Sequence, residues 1–202
     1  TISPIQNENG EITHFIAVKE DITQRKQSEI EIQRHLTELE ALYENGLAVG
    51  QLLEPREIGN QIIQTFARHL SWHHVAIRLL NPETDKLDLI AFNQPGLSDE
   101  ARAEIESRFN RMVSTVGQGL SGLAMQTGTS IRTGNVHTYP QYVDTHQGIM
   151  SGLYMPLHVA DRIIGCISVE SDLPDAFTQQ DERLLATLAN QASIAFENAR
   201  LY

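Results

Sequence analysis

Two strand-like runs, Gly152–Val159 and Arg162–Ser171, are separated only by Ala160-Asp161. Phe177-Thr-x-x-Asp181 and an unbroken helical pattern to Tyr202 follow directly. Strand, tight link, strand and capped helix in this order require a mixed α/β domain, because the hairpin has a face that only a packed helix can cover. The stretch holds no acid–base pair, no nucleophile beside a base and no metal-ligand cluster. The chain therefore reads as a receiver and relay of a signal, and an enzyme is not expected.

Alternation along the hairpin sharpens this. Leu153, Met155, Leu157 and Val159, with Ile163, Gly165, Ile167 and Val169, form one wholly apolar face that should lie under helices. Gly152, Tyr154, Pro156 and His158, with Ile164, Cys166, Ser168 and Glu170, form a smaller and more polar face. A sheet with one apolar and one mixed face, roofed by a long loop, is where a ligand cavity forms. The floor would be the mixed face, with the Thr133–Gly148 loop and a short helix Leu120–Gln126 as walls. The candidate ligand-binding residues are Tyr154, Ser168 and Glu170 on the floor, His146 from the loop, Met150 at the start of the strand, and Phe92 as an apolar wall. Glu170 should be hydrogen-bonded or near the mouth, because a buried carboxylate without a donor is costly. A cavity below about 300 Å³ would instead favour a filled, ligand-free relay.

The chain divides in three. Residues 1–21 read as a hairpin, with Asn9-Gly10 as a turn in which both residues take positive φ. Two strands alone are barely stable, so this piece is expected to be disordered, to melt into helix or to pair with another chain. Residues 22–53 read as a long helix of roughly 45 Å at 1.5 Å per residue. Its seam of Ile32, Leu36, Leu39 and Tyr43 suits a parallel two-stranded coiled coil. Leu188, Ala192, Ala195 and Ala199 give the last helix a small-residue stripe, so a homodimer through both helices is expected. Residues 54–202 form the main domain. Its early elements are a helix from Pro55, strands His74–Leu80 and Lys86–Phe92, and a helix capped by Ser98 with Phe109 on its apolar face.

Composition narrows the partners. With 202 residues and a formal net charge of −11, the chain lacks the clustered Lys/Arg that nucleic acid or an acidic membrane would need. No apolar run approaches a membrane span. The single cysteine, Cys166, precludes an internal disulfide and suits a cytoplasmic location. It reads as a small buried hydrophobe. Gly117-Gln-Gly119-Leu-Ser-Gly122 matches G-x-G-x-x-G, but the following helix is too short for a dinucleotide site. Close backbone packing is the better account of these glycines. His69, His73 and His74 lack a completing Cys or carboxylate, so no metal site is assigned.

Certain motifs carry a family resemblance. From Pro55 to Tyr202 the chain resembles a GAF domain, through Val116-Gly-Gln-Gly-Leu-Ser-Gly122, Met155-Pro-Leu157, Arg162-Ile-Ile-Gly165, Val169-Glu-Ser171, Ala176-Phe-Thr-x-x-Asp181 and Ile194-Ala-x-x-x-Asn198-Ala-Arg-Leu-Tyr202. Gly10 to Lys26, with Asp21-Ile-Thr23, resembles the C-terminal end of a PAS domain. The resemblance implies an α+β fold with a central antiparallel sheet, helices on one face and a loop and short-helix ligand region on the other. It also implies a sensory module of a bacterial sensor histidine kinase or cyclic-dinucleotide signalling protein. Cyclic-nucleotide GAF domains resemble one another in Asn-Lys…Phe-x-x-x-Asp-Glu. Phe177, Asp181 and Glu182 match its second half, while Glu170-Ser171 replace Asn-Lys, which argues against cyclic nucleotide. No cysteine lies between Thr133 and Gly148, which argues against covalent bilin, and haem on His146 or His137 has no support. GAF-fold methionine sulfoxide reductases need several cysteines, and this chain has one.

Overall fold

In a computed structural model the described residues are 2–7, 9–17, 22–23, 26–27 and 30, then 54–70, 72, 74–94, 96–111, 115–143 and 148–201. They fall in two units, residues 1–36 and residues 37–202.

In the first unit β1 (Ile2–Gln6) and β2 (Ile12–Ala17) pair antiparallel, with a register shift at Ile5/Gln6. The segment is a hairpin, with Ile5, Ile12 and Phe15 exposed, so the expectation that it is disordered or melts into helix is corrected. Its loop supplies the reason. The Asn7 carboxamide oxygen accepts from the amides of Asn9 and Glu11, each at 3.0 Å, which closes the turn locally. In the turn itself Gly10 has φ 81°, the positive value expected of it. Thr23, Lys26, Gln27 and Ile30 have helical backbone. The seam Ile32, Leu36, Leu39 and Tyr43 lies outside the described residues.

The second unit is a five-stranded antiparallel sheet in the order β4-β3-β7-β6-β5. Its strands are β3 (His74–Asn81), β4 (Lys86–Asn93), β5 (Ile131–Thr133), β6 (Ser151–Val159) and β7 (Arg162–Ser171). The α-helices among the described residues of this unit are α1 (Pro55–Thr65), α2 (Asp99–Arg111), α3 (Gly119–Thr127) and α4 (Gln179–Leu201). Pro55 sits in the first turn of α1, where its missing N–H costs nothing.

α1 and α4 cover one face of the sheet. Ile58, Ile62 and Phe66 from the first helical segment, and Leu185, Leu188 and Ala192 from α4, meet Leu153, Leu157, Ile167 and Val169. The spacing within α4 is the three-and-four step of a buried helix stripe. Trp72 closes this core edge-on to Phe66 (5.5 Å) and Phe177 (6.5 Å). The stripe expected to serve a dimer is therefore committed elsewhere: Leu188, Ala192 and Ala195 are buried in the domain's own core, and Ala199 packs against it.

Parity in the last hairpin is as expected up to one point. Between Leu157 and His158 the register shifts, and beyond it Ile164 packs with the helix-side core while Ile163 packs with the cluster around α3. The expected assignment of these two residues is thus inverted. A bulge inserts one residue and turns every later side chain to the other face.

A tie between β5 and α4 fixes the edge of the sheet. The Ser130 hydroxyl and the Arg132 guanidinium (3.0 Å) both donate to the Glu182 carboxylate, and Arg132 also reaches the Phe177 carbonyl oxygen. The Ser130 hydrogen bond, followed by Arg132, holds the Glu182 carboxyl below its ordinary value of 4.5. A depressed carboxylate contributes stability that is present above the unfolded value and lost as pH falls through the folded one. Glu182→Gln should therefore destabilise the domain by roughly 1 kcal/mol at pH 7. Urea titrations should show that difference shrinking once the pH falls below about 4. An unchanged difference at low pH would mean the tie does not depend on the charge.

Candidate functional site

The mixed face of the sheet carries a cavity of about 440 Å³. β3 and β7 form the floor through His74, Ala76 and Arg78 and through Ser168 and Glu170, with Tyr154 from β6. Phe92 on β4 and Phe109 on α2 meet edge-on at 6.1 Å and form an apolar wall. The opposite wall is Gly117–Ser121 at the start of α3 and Gln141–Val143 of the loop.

The α3 wall depends on its glycines. Gly117 and Gly119 have φ 88° and 64°, values that side chains other than glycine rarely adopt. A Cβ on Gly122 would lie 2.5 Å from the Thr115 carbonyl oxygen. The motif is thus a tight turn bringing a helix end onto the sheet.

On the floor, the Tyr154 hydroxyl donates to Glu170 Oε1 at 2.7 Å. Burial, and then the Glu170 charge, push the Tyr154 phenol well above its ordinary range, so it remains a donor. The Ser168 hydroxyl donates to the Ala76 carbonyl oxygen at 3.3 Å, bracing β7 against β3. The Arg78 guanidinium lies 5.1 Å from the Phe109 ring centroid. Desolvation lowers its pKa, opposed by the charge of Glu170. Cys166 is buried beside this floor, and burial pushes its thiol up to about 12. The native thiol should accordingly resist a thiol-specific disulfide reagent at pH 8 and react fully once the chain is unfolded in urea. Rapid reaction of the folded chain would contradict this burial.

Of the residues expected at the site, Phe92, Tyr154, Ser168 and Glu170 line the cavity. Met150 does not. Its amide donates to the Ser171 carbonyl oxygen and its carbonyl accepts from Val136, both at 2.8 Å, which ties the strand start to the loop base away from the void. His146 lies outside the described residues. Sequence reasoning overlooked Arg78, Phe109 and His74. The strand alternation held a signal for Arg78, because Val75, Ile77 and Leu79 claim one face of β3 and leave His74, Ala76 and Arg78 on the other.

A five-stranded antiparallel sheet with helices packed on one face and a cavity lined by polar and aromatic side chains on the other defines an α+β domain. The GAF domain family profile matches residues 53–197, and the chain belongs to this family. A free methionine-R-sulfoxide reductase of Escherichia coli is 30% identical over 76 residues, covering 38% of this chain and 46% of that protein. The matched stretch spans less than half the length of the curated relatives. Among solved structures, the free methionine-R-sulfoxide reductase from Neisseria meningitidis in complex with its substrate superposes with a TM-score of 0.69 at 21% identity. That match covers 81% of this chain and 90% of the other. The GAF domain from a phosphoenolpyruvate-protein phosphotransferase of Coxiella burnetii gives 0.70 at 15% identity, covering 82% and 96%. These comparisons overturn the expectation that the chain is no enzyme, since proteins sharing its fold, and one sharing part of its sequence, are named as enzymes.

Proposed function

We propose that this chain is a sensory GAF module that takes a small molecule into the cavity above its mixed sheet face and passes occupancy to its helices. The carrying observation is the cavity itself, about 440 Å³ and walled by Phe92, Phe109 and the start of α3. Its volume is within the range of small-molecule sites. The route to the helices follows from the two-residue period of a strand. Tyr154, Ser168 and Glu170 face the cavity, while their neighbours Leu153, Ile167 and Val169 pack under α1 and α4. A ligand that shifts β6 or β7 must also shift the bed on which those helices rest.

The test is a small-molecule screen on the intact chain, read by thermal shift and native mass spectrometry. Bound compounds should lose binding in Ala76→Phe, which fills the floor, with the melting temperature kept. Binding that persists in the filled variant would place the ligand elsewhere and sink this reading. A second reading rests on the reductase relatives: the same cavity converts its ligand. Formation of methionine from free methionine-R-sulfoxide in the presence of a thiol reductant would support it, and no turnover with the sulfoxide bound would refute it.

A further inference from the structure

The two ends of the cavity differ in electrical character. Arg78 stands opposite Cys166, whereas Glu170 stands opposite His74 four residues further along the same strand pair. That spacing is about 13 Å between backbone positions, although the Glu170 charge still acts on the Arg78 guanidinium. Among the described residues no carboxylate reaches Arg78 at ion-pair distance. The guanidinium is nonetheless enclosed enough for desolvation to lower its pKa. The Glu170 charge acts on it at longer range than an ion pair, so a closer anion would stabilise it further.

A second source of positive potential meets it. Gln118 caps α3 without a side-chain hydrogen bond, and the amides of Gly119, Leu120 and Ser121 have no earlier helical carbonyl to bond. These residues line the cavity, so their N–H groups and the helix dipole act on it. Cys166 pairs with Arg78 across the sheet and packs in one cluster with Leu120 of α3, which places Arg78 and the start of α3 at the same end of the floor. Glu170, hydrogen-bonded by Tyr154, keeps the other end negative and disfavours a doubly charged guest.

We propose that the cavity takes a small monocarboxylic acid with an apolar, ring-sized body, its carboxylate received by Arg78 and the amides opening α3. The body lies along Phe92 and Phe109. The planar guanidinium matches a carboxylate with two parallel hydrogen bonds, while a phosphate monoester brings about −1.5 to −2 charge toward Glu170. This inference rests on the proposed ligand-binding function.

Four matched probes test it on the intact chain: indoleacetate, its neutral amide, tryptamine and indoxyl phosphate, titrated by calorimetry. Indoleacetate should bind best and move the amide resonances of Gly119, Leu120 and Ser121. Arg78→Met should weaken it about ten- to a hundredfold, the range for a lost charge-assisted hydrogen bond. If Arg78→Met fails to fold, Arg78→Lys and the head-group comparison in the parent decide. Preference for the amide, the amine or the phosphate, or acid binding indifferent to Arg78, would overturn the proposal. If none of the four binds while the wider screen finds a cavity ligand, this inference falls and the binding function stands; if neither finds one, both fall.

Discussion

Gly165→Ala should lose about 2–4 kcal/mol of folding stability, a large share of what a domain of this size possesses. Gly165 lies in β7, between Leu79 of β3 and Leu157 of β6. An added Cβ would run into the Arg78 carbonyl oxygen and come within 2.8 Å of Leu79 Cδ2. Because β7 is hydrogen-bonded on both sides, its backbone cannot shift without breaking one ladder or displacing β3. Displacing β3 moves Arg78, so any surviving fold should also bind cavity ligands poorly. Urea unfolding followed by Trp72, the single tryptophan, reads the stability directly. A midpoint like that of the parent would show that the strand yields more easily than the sheet geometry implies.

Leu185→Ala should cost about 2–5 kcal/mol, whereas Ile194→Ala on the same helix should stay within about 0.5 kcal/mol. Leu185 is fully buried beneath the sheet, while Ile194 is 63% exposed. Helix propensity cannot separate the two, because both changes introduce the best helix former. The difference therefore measures the cavity left in the core against α1 and β6. Equal effects would mean that α4 contributes by its own helicity and not by packing.

The remaining feature of the core is its division by the sheet. Leu153 and Tyr154 are adjacent in sequence and both buried, yet one joins the helix-side core and the other the cluster around α3. This arrangement explains why so much of β6 and β7 is apolar. It also lets one sheet serve as both the roof of a core and the floor of a cavity.

Much of this could be read from the chain. The alternation of Leu153, Met155 and Leu157 against Tyr154 assigned the faces, because the strand period is two and water selects which face is buried. The step of Leu188, Ala192, Ala195 and Ala199 marked an apolar stripe on α4, though it was expected to serve a dimer, and the glycines from 117 to 122 marked a tight turn. Each is local information, carried by neighbours within a few residues. Tertiary structure decided what depends on meetings between distant segments. The bulge at Leu157/His158 exchanged Ile163 and Ile164, since register belongs to a pair of strands and not to one. The α4 stripe went to the domain's own sheet because apolar surface packs against whatever the fold brings to it. Arg78 became part of the cavity only when β3 was placed beside β7 and α3 was folded over β6 and β7. The charge of a cavity is the sum of groups far apart in the chain, and only the assembled sheet brings them together.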